Sequence, residues 1–205
     1  MMQNRHIHTL KFDCFHPRII LFMAALLPLQ PHIREVEFNS MSREIPDDLV
    51  ALFRILAPQV THIGFPLWYL TTIIPDLGLS QFASLRSVHI IGRIHPNEIA
   101  LTNIWRCLLS IVGQMPPTVL TFRLSIFLNH GGETFDLMGK VMDLEWAEFQ
   151  DKLLGMHNLA TFTIGIRETS IRQDLKTRRR KIKSFLDQKL SRFAAQRRLV
   201  LESPS

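Results

Sequence analysis

A recurring apolar pattern constrains this chain more than any other feature of its sequence. Six copies read Φ-x-x-Φ-x-Φ, with Φ apolar: Ile7, Leu10, Phe12; Ile33, Val36, Phe38; Val60, Ile63, Phe65; Leu85, Val88, Ile90; Val119, Phe122, Leu124; and Leu159, Phe162, Ile164. A degenerate last copy carries Leu199 and Leu201. Starting residues are separated by 26, 27, 25, 34 and 40 positions. In each copy the last two apolar positions alternate with polar ones, the period of a strand with one buried face.

Between the copies the period changes to that of a helix. Residues 47–57 place Leu49, Leu52, Phe53 and Leu56 on one side, with Asp47 and Asp48 at the favourable N-terminal end. Residues 97–112 do the same with Ile99, Ile104, Leu108, Ile111 and Val112, and residues 143–154 with Trp146, Phe149, Leu153 and Leu154. Prolines 17, 31, 46, 58, 75, 96, 116 and 117 fall between these segments, where they stop or start helices without breaking them.

A single strand and helix cannot bury their apolar faces alone, so neighbouring units must stack. The first three spacings lie within the roughly 20–29 residues of a leucine-rich repeat, and the later ones require insertions. The expected fold is therefore α/β: an irregular leucine-rich-repeat-like solenoid of about six to seven strand–helix units with parallel strands, one domain over residues 1–205. A doubly wound sheet would also alternate strands and helices. Its strands, covered on both faces, would usually be continuous apolar runs. Charges between the apolar positions, as in Val36-Glu37-Phe38 and Phe122-Arg123-Leu124, favour the solenoid.

The segments Ile33–Phe38, Val60–Phe65, Leu85–Ile90 and Leu159–Ile166, each preceded by an apolar helix, resemble the repeat portion of fungal F-box-associated, leucine-rich-repeat-like proteins. Residues 143–153 are similar to that family's Trp-x-x-Leu-Asp-x-x-Leu helix: Trp146, Phe149 and Leu153 match, and Gln150 stands in place of the Asp. Residues 197–201 resemble its closing strand. The turn Asn or Cys of regular repeats falls here on Phe15, Met41, Trp68, Arg93, Phe127 and Arg167, so irregular turns without an Asn ladder are expected. The resemblance implies the substrate-holding part of a ubiquitin-ligase adaptor. Ile45 to Leu49, with Leu52 and Leu56, echo the opening of an F-box, but this stretch lies between two strand copies and reads as a repeat helix. With Ile7 already in strand position, the chain is expected to be a truncated or divergent member lacking the adaptor module.

Composition limits the other classes. Hydrophobic residues make up 46% and charged residues 20% of the 205, a globular balance. Fourteen Phe against one Tyr point to rings without a polar handle, hence buried ones. Ile19 to Leu29 is too short to cross a membrane, which takes about 20 residues. Pro28, Gln30 and Pro31 follow where a signal peptide would have small residues, so a buried helix is expected. Two cysteines, Cys14 and Cys107, form no framework or metal spacing and fit an intracellular setting, cytoplasmic or nuclear.

The sequence shows no catalytic constellation, and no cofactor or metal is expected. Gly131-Gly132 reads as a loop. His6-Ile7-His8 could touch a metal, but no Cys or carboxylate stands at ligand spacing. Asp143, Glu145, Glu148 and Asp151 sit at helical spacing, which reads as a solvated face. The function expected is non-catalytic protein–protein interaction, through a concave row of Lys11, Glu35, Glu37, His62, His89, Arg123, Thr161 and Thr163. The alternative lies in the last 30 residues. Residues 176–205 hold 10 basic and 2 acidic side chains, whereas residues 1–175 hold 14 and 16. The run Lys176, Arg178, Arg179, Arg180, Lys181 and Lys183 could bind nucleic acid or direct nuclear import. Ile182, Phe185, Leu186, Leu190 and Phe193 recur within it at helical spacing, so residues 176–198 also read as a basic amphipathic repeat helix.

Overall fold

The structure, a computed structural model, describes residues 8–12, 32–38, 54–67, 79–94, 101–128, 141, 143–168, 175–196 and 198–202. Among these residues it forms one sheet of seven parallel strands in sequential order. These are β1 (Thr9–Phe12), β2 (Glu35–Phe38), β3 (His62–Pro66), β4 (Ser87–Ile94), β5 (Thr121–Leu128), β6 (Thr161–Glu168) and β7 (Leu199–Leu201). The strand order never reverses, as it would in a doubly wound sheet.

Helices return the chain between later strands. They are α1 (Leu101–Gln114), α2 (Trp146–Gly155), α3 (Leu175–Lys189) and α4 (Ser191–Ala195), with a 3-10 turn at Leu79–Gln81 and helical residues 54–56 before β3. Met115-Pro116-Pro117 ends α1, because proline lacks the N–H a further turn would need. Helix α2 carries Glu148 in its first turn and Lys152 in its last, both complementing its dipole.

The register explains why the apolar pattern recurs. Leu10, Val36, Ile63, Val88, Phe122, Phe162 and Leu199 are successive partners across all seven strands. From Val36 to Phe162 this row is buried, and so are the first and third apolar positions of the same five copies. The helices cover that face. Phe149 of α2 packs on Phe122 and Phe162 (ring centroids 6.5 and 5.6 Å), Trp146 on Trp105 of α1 (4.8 Å) and on Phe185 of α3 (5.4 Å), and Phe193 of α4 on Phe162 (5.9 Å). Aromatic pairs at such spacings add about 0.5–1.5 kcal/mol each beyond the area they bury.

A second repeated feature lies in the backbone. The carbonyl just before a strand accepts two successive N–H groups of the next unit: His8 from Arg34 and Glu35, Arg34 from Thr61 and His62, Thr61 from Arg86 and Ser87, Arg86 from Leu120 and Thr121, Leu120 from Ala160 and Thr161. Entry into the strands repeats as well, through turns in which Leu85, Val119 and Leu159 donate to Phe82, Pro116 and Met156. The same connection is thus built five times from different residues.

Three expectations change. Arg93, Phe127 and Arg167 do not form turns but lie inside β4, β5 and β6, paired with one another. Ile91, Ile126 and Ile166 lead into those positions with β-favouring side chains, and the strands run on through them to eight residues. Helix α2 starts at Trp146, so Asp143 and Glu145 precede it; all four acidic residues of that group are exposed. The single helix expected over 176–198 is two, α3 and α4, meeting at Leu190. The bend lets both Leu190 and Phe193 reach the core, where each is fully buried.

Candidate functional site: the open face of the sheet

The alternation that buries one side chain presents the next to the opposite face of the sheet. No helix among the described residues packs on that face. The eight residues expected to form one row form two. Thr9, Glu35, His62, Ser87, Thr121 and Thr161 share one register line; Lys11, Glu37, Gly64, His89, Arg123, Thr163 and Val200 share the other. Lys11, Glu35 and Arg123 are exposed, and Glu37, His62, His89, Thr161 and Thr163 are half-buried. Neighbours within a line stand one strand spacing apart, about 4.8 Å.

At one end Glu37 is the centre. Its carboxylate lies 2.7 Å from Lys11 Nζ and 3.3 Å from His62 Nε2, although the latter contact lacks hydrogen-bond geometry. The Lys11 hydrogen bond holds the Glu37 carboxyl below its usual range, against the opposing effect of burial. Alongside, Thr9 Oγ1 donates to Glu35 Oε2 at 2.8 Å.

In the middle, His89 Nε2 and Ser125 Oγ share a hydrogen bond of 3.0 Å. Burial, reinforced by the neighbouring Arg123 charge, pushes the imidazole down to about 4. His89 is therefore neutral at ordinary pH. At the far end Arg123 reaches across β6 to Glu202, 2.5 Å away.

Two glycines make this charged layer possible. A Cβ at Gly64 would stand 3.2 Å from Cγ of Glu37, and one at Gly165 would stand 2.7 Å from Oε2 of Glu202. Both carboxylate side chains thus lie across space that any other residue would fill, which brings Glu37 to Lys11 and Glu202 to Arg123. Ser125, Gly64, Gly165 and Glu202 were not among the expected site residues. Their signal is present: Ser125 and Gly165 extend the outward alternation of their strands, and Glu202 follows Leu201 on the same parity as Val200 and the outward face.

The other expectations resolve as follows. Arg180, Lys181 and Lys183 of the basic run are exposed on α3; Lys176, Arg178 and Arg179 belong to the same helix. His8 Nδ1 lies 3.1 Å from the His32 carbonyl, and His6 falls outside the described residues. So do Cys14, the helix expected at Ile19 to Leu29, most of residues 47–57, Phe15, Met41, Trp68 and Gly131-Gly132. Among the described residues no three His, Cys, Asp or Glu side chains come together as metal ligands, and no helix is long and apolar enough to cross a membrane. A separate hollow of about 350 Å³ lies at the helix ends, between Val112, Met115, Pro116 and Val119 on one side and Lys152, Met156 and His157 on the other.

Comparison with family models, curated proteins and solved structures finds no match to the chain.

Proposed function

We propose that this chain is a non-catalytic protein-interaction module, an irregular leucine-rich-repeat-like array that holds a polar partner segment on its open face. The supporting observation is the pair of register lines. Side chains from Thr9 to Val200 are brought side by side at a fixed spacing, on the one face that the described helices leave uncovered. The ion pairs Lys11–Glu37 and Arg123–Glu202 hold these side chains in place before any partner arrives, which lowers the ordering cost of binding.

The test is selection from a randomised peptide library on the purified chain. Peptides that bind should lose affinity when Glu37→Arg and Arg123→Glu are introduced together, and keep it when Lys152→Glu is introduced on α2. Equal affinity for all three proteins would refute the reading.

The resemblance to F-box-associated proteins extends the proposal: the partner would be a substrate awaiting ubiquitin transfer, and the ligase scaffold would be held elsewhere. This chain alone should then fail to retain the scaffold protein on a column. Retention would mean that residues 45–56 act as an F-box opening instead of a repeat helix.

A further inference from the structure

The open face makes no use of the basic run that opens α3. Six cations stand within the eight residues from Lys176 to Lys183, with no acidic residue among them. At 1.5 Å of rise per residue this is about one positive charge per 2 Å of helix axis. Duplex nucleic acid carries one negative charge per roughly 1.7 Å. An extended peptide acidic at every residue carries only one per about 3.3 Å.

The packing of α3 restricts the partner further. Phe185, Leu186 and Leu190 are buried, Ile182 is half-buried against the core, and Phe185 meets the Trp146 ring edge-on. A helix that settles on a lipid surface must bury its apolar side there, and α3 has already committed that side to the core. A receptor that takes basic runs in extended form would first have to unwind a docked helix. What faces solvent is charge: Arg180, Lys181, Lys183 and Lys189 are all exposed. Lys183 pairs with Asp187 at 2.6 Å and Lys189 lies over the Phe185 ring, but Arg180 and Lys181 make no ion pair among the described residues. Residues 1–175 hold 14 basic and 16 acidic side chains, so the positive charge is concentrated in the last 30 residues.

We propose that α3 is a binding site for the phosphodiester backbone of nucleic acid, recognised by charge without regard to base sequence. This site is independent of the open face and uses none of its residues.

The experiment measures affinity of the full chain for a short DNA duplex and for a single-stranded RNA of unrelated sequence across a range of salt. The logarithm of the affinity for the duplex should fall with the logarithm of salt at a slope between about −2 and −5, the range for two to six phosphate contacts at roughly 0.9 each. Arg180→Gln with Lys181→Gln should flatten the slope by about 2 and leave the melting temperature unchanged, because both side chains are exposed. Arg54→Gln with Arg86→Gln removes the same charge elsewhere and should leave the slope alone. The proposal is overturned if both pairs flatten the slope equally, if neither does, or if vesicles rich in phosphatidylserine or an acidic peptide bind more tightly than either nucleic acid. Binding of only one of the two nucleic acids would keep the proposal and restrict the backbone form it takes.

Discussion

The side-chain oxygen of Gln150 lies 2.9 Å from the backbone N–H of Arg192 and closes the N-terminus of a helix whose own cap position holds a leucine. Leu190 is buried and has no side-chain acceptor, so the first N–H groups of α4 look to α2 instead. Gln150 Oε1 accepts from Arg192 and, at 3.4 Å, from Phe193, while Arg192 and Asp151 pair outside. This contact replaces the cap that a Ser or Asp would supply locally.

Gln150→Ala should therefore destabilise the fold by about 1–2 kcal/mol, the range for a lost cap with buried donors left behind. Gln150→Glu, which keeps the acceptor, should cost less. Chemical denaturation of the two variants beside the parent protein checks the order.

Side chains at the entry to the strands tie successive units together. Ser84 Oγ donates to the Pro58 carbonyl at 2.6 Å, and Asn158 Nδ2 donates to the Pro117 carbonyl at 2.8 Å, from equivalent positions one residue before the first apolar residue of their units. Thr118 occupies the same position, yet its buried hydroxyl makes no hydrogen bond. Ser84→Ala and Asn158→Ala should each cost about 1 kcal/mol. Thr118→Val, of the same shape, should cost nothing or stabilise. A loss at Thr118 equal to that at Asn158 would mean that the three positions are not distinguished in this way.

These relationships show where the sequence was readable. The inward residues, such as Val36, Ile63 and Phe162, obey a strict alternation that needs no knowledge of the partner strand, so strand positions and their shared burial were legible. Strand ends were not, because Arg93 and Phe127 fall at the turn position of a regular repeat and yet pair with each other as strand residues. Gln150 as a cap, the bend at Leu190 and the paths of Glu37 and Glu202 over glycine all depend on residues distant in sequence. The outward residues were identified, but their division into two lines follows from register, which the pattern alone does not determine.

Substitution of the two glycines should separate by severity. Gly165→Ala must displace Glu202 and with it the pairing to Arg123, whereas Gly64→Ala presses only on the flexible Cγ of Glu37. In a double-mutant cycle the Arg123–Glu202 coupling should fall to near zero in the Gly165→Ala background. It should persist in the Gly64→Ala background. Both proteins should stay within about 1 kcal/mol of the parent, as befits partly exposed ion pairs.

His89 gives the fold a pH dependence of defined sign. Its folded value, about 4, lies below the ordinary 6.5. Above pH ~6.5 both folded and unfolded chains carry it neutral and it contributes no pH dependence. Between about 6.5 and 4 the unfolded chain binds a proton that the folded one refuses, so stability falls as pH falls, by up to ~3 kcal/mol. Glu37, whose folded value lies below 4.5, adds its own loss at the acid end of this window and below it. His89→Gln should remove most of the change above pH ~4.5. Denaturation midpoints at several pH values test this, and the His89 ring signals in NMR should titrate near 4.

The most direct measurement of the whole account is the distance along the second register line. Spin labels are placed at Lys11→Cys with Arg123→Cys, and at Lys11→Cys with Val200→Cys, after Cys14 and Cys107 are changed to serine. Seven parallel strands in chain order place the first pair four spacings apart and the second six, roughly 19 and 29 Å between backbones at ~4.8 Å per strand. A Lys11–Val200 distance longer than the Lys11–Arg123 distance is the predicted result. A Lys11–Val200 distance equal to or shorter than it would contradict the sequential sheet, and with it the open face on which the proposed function depends.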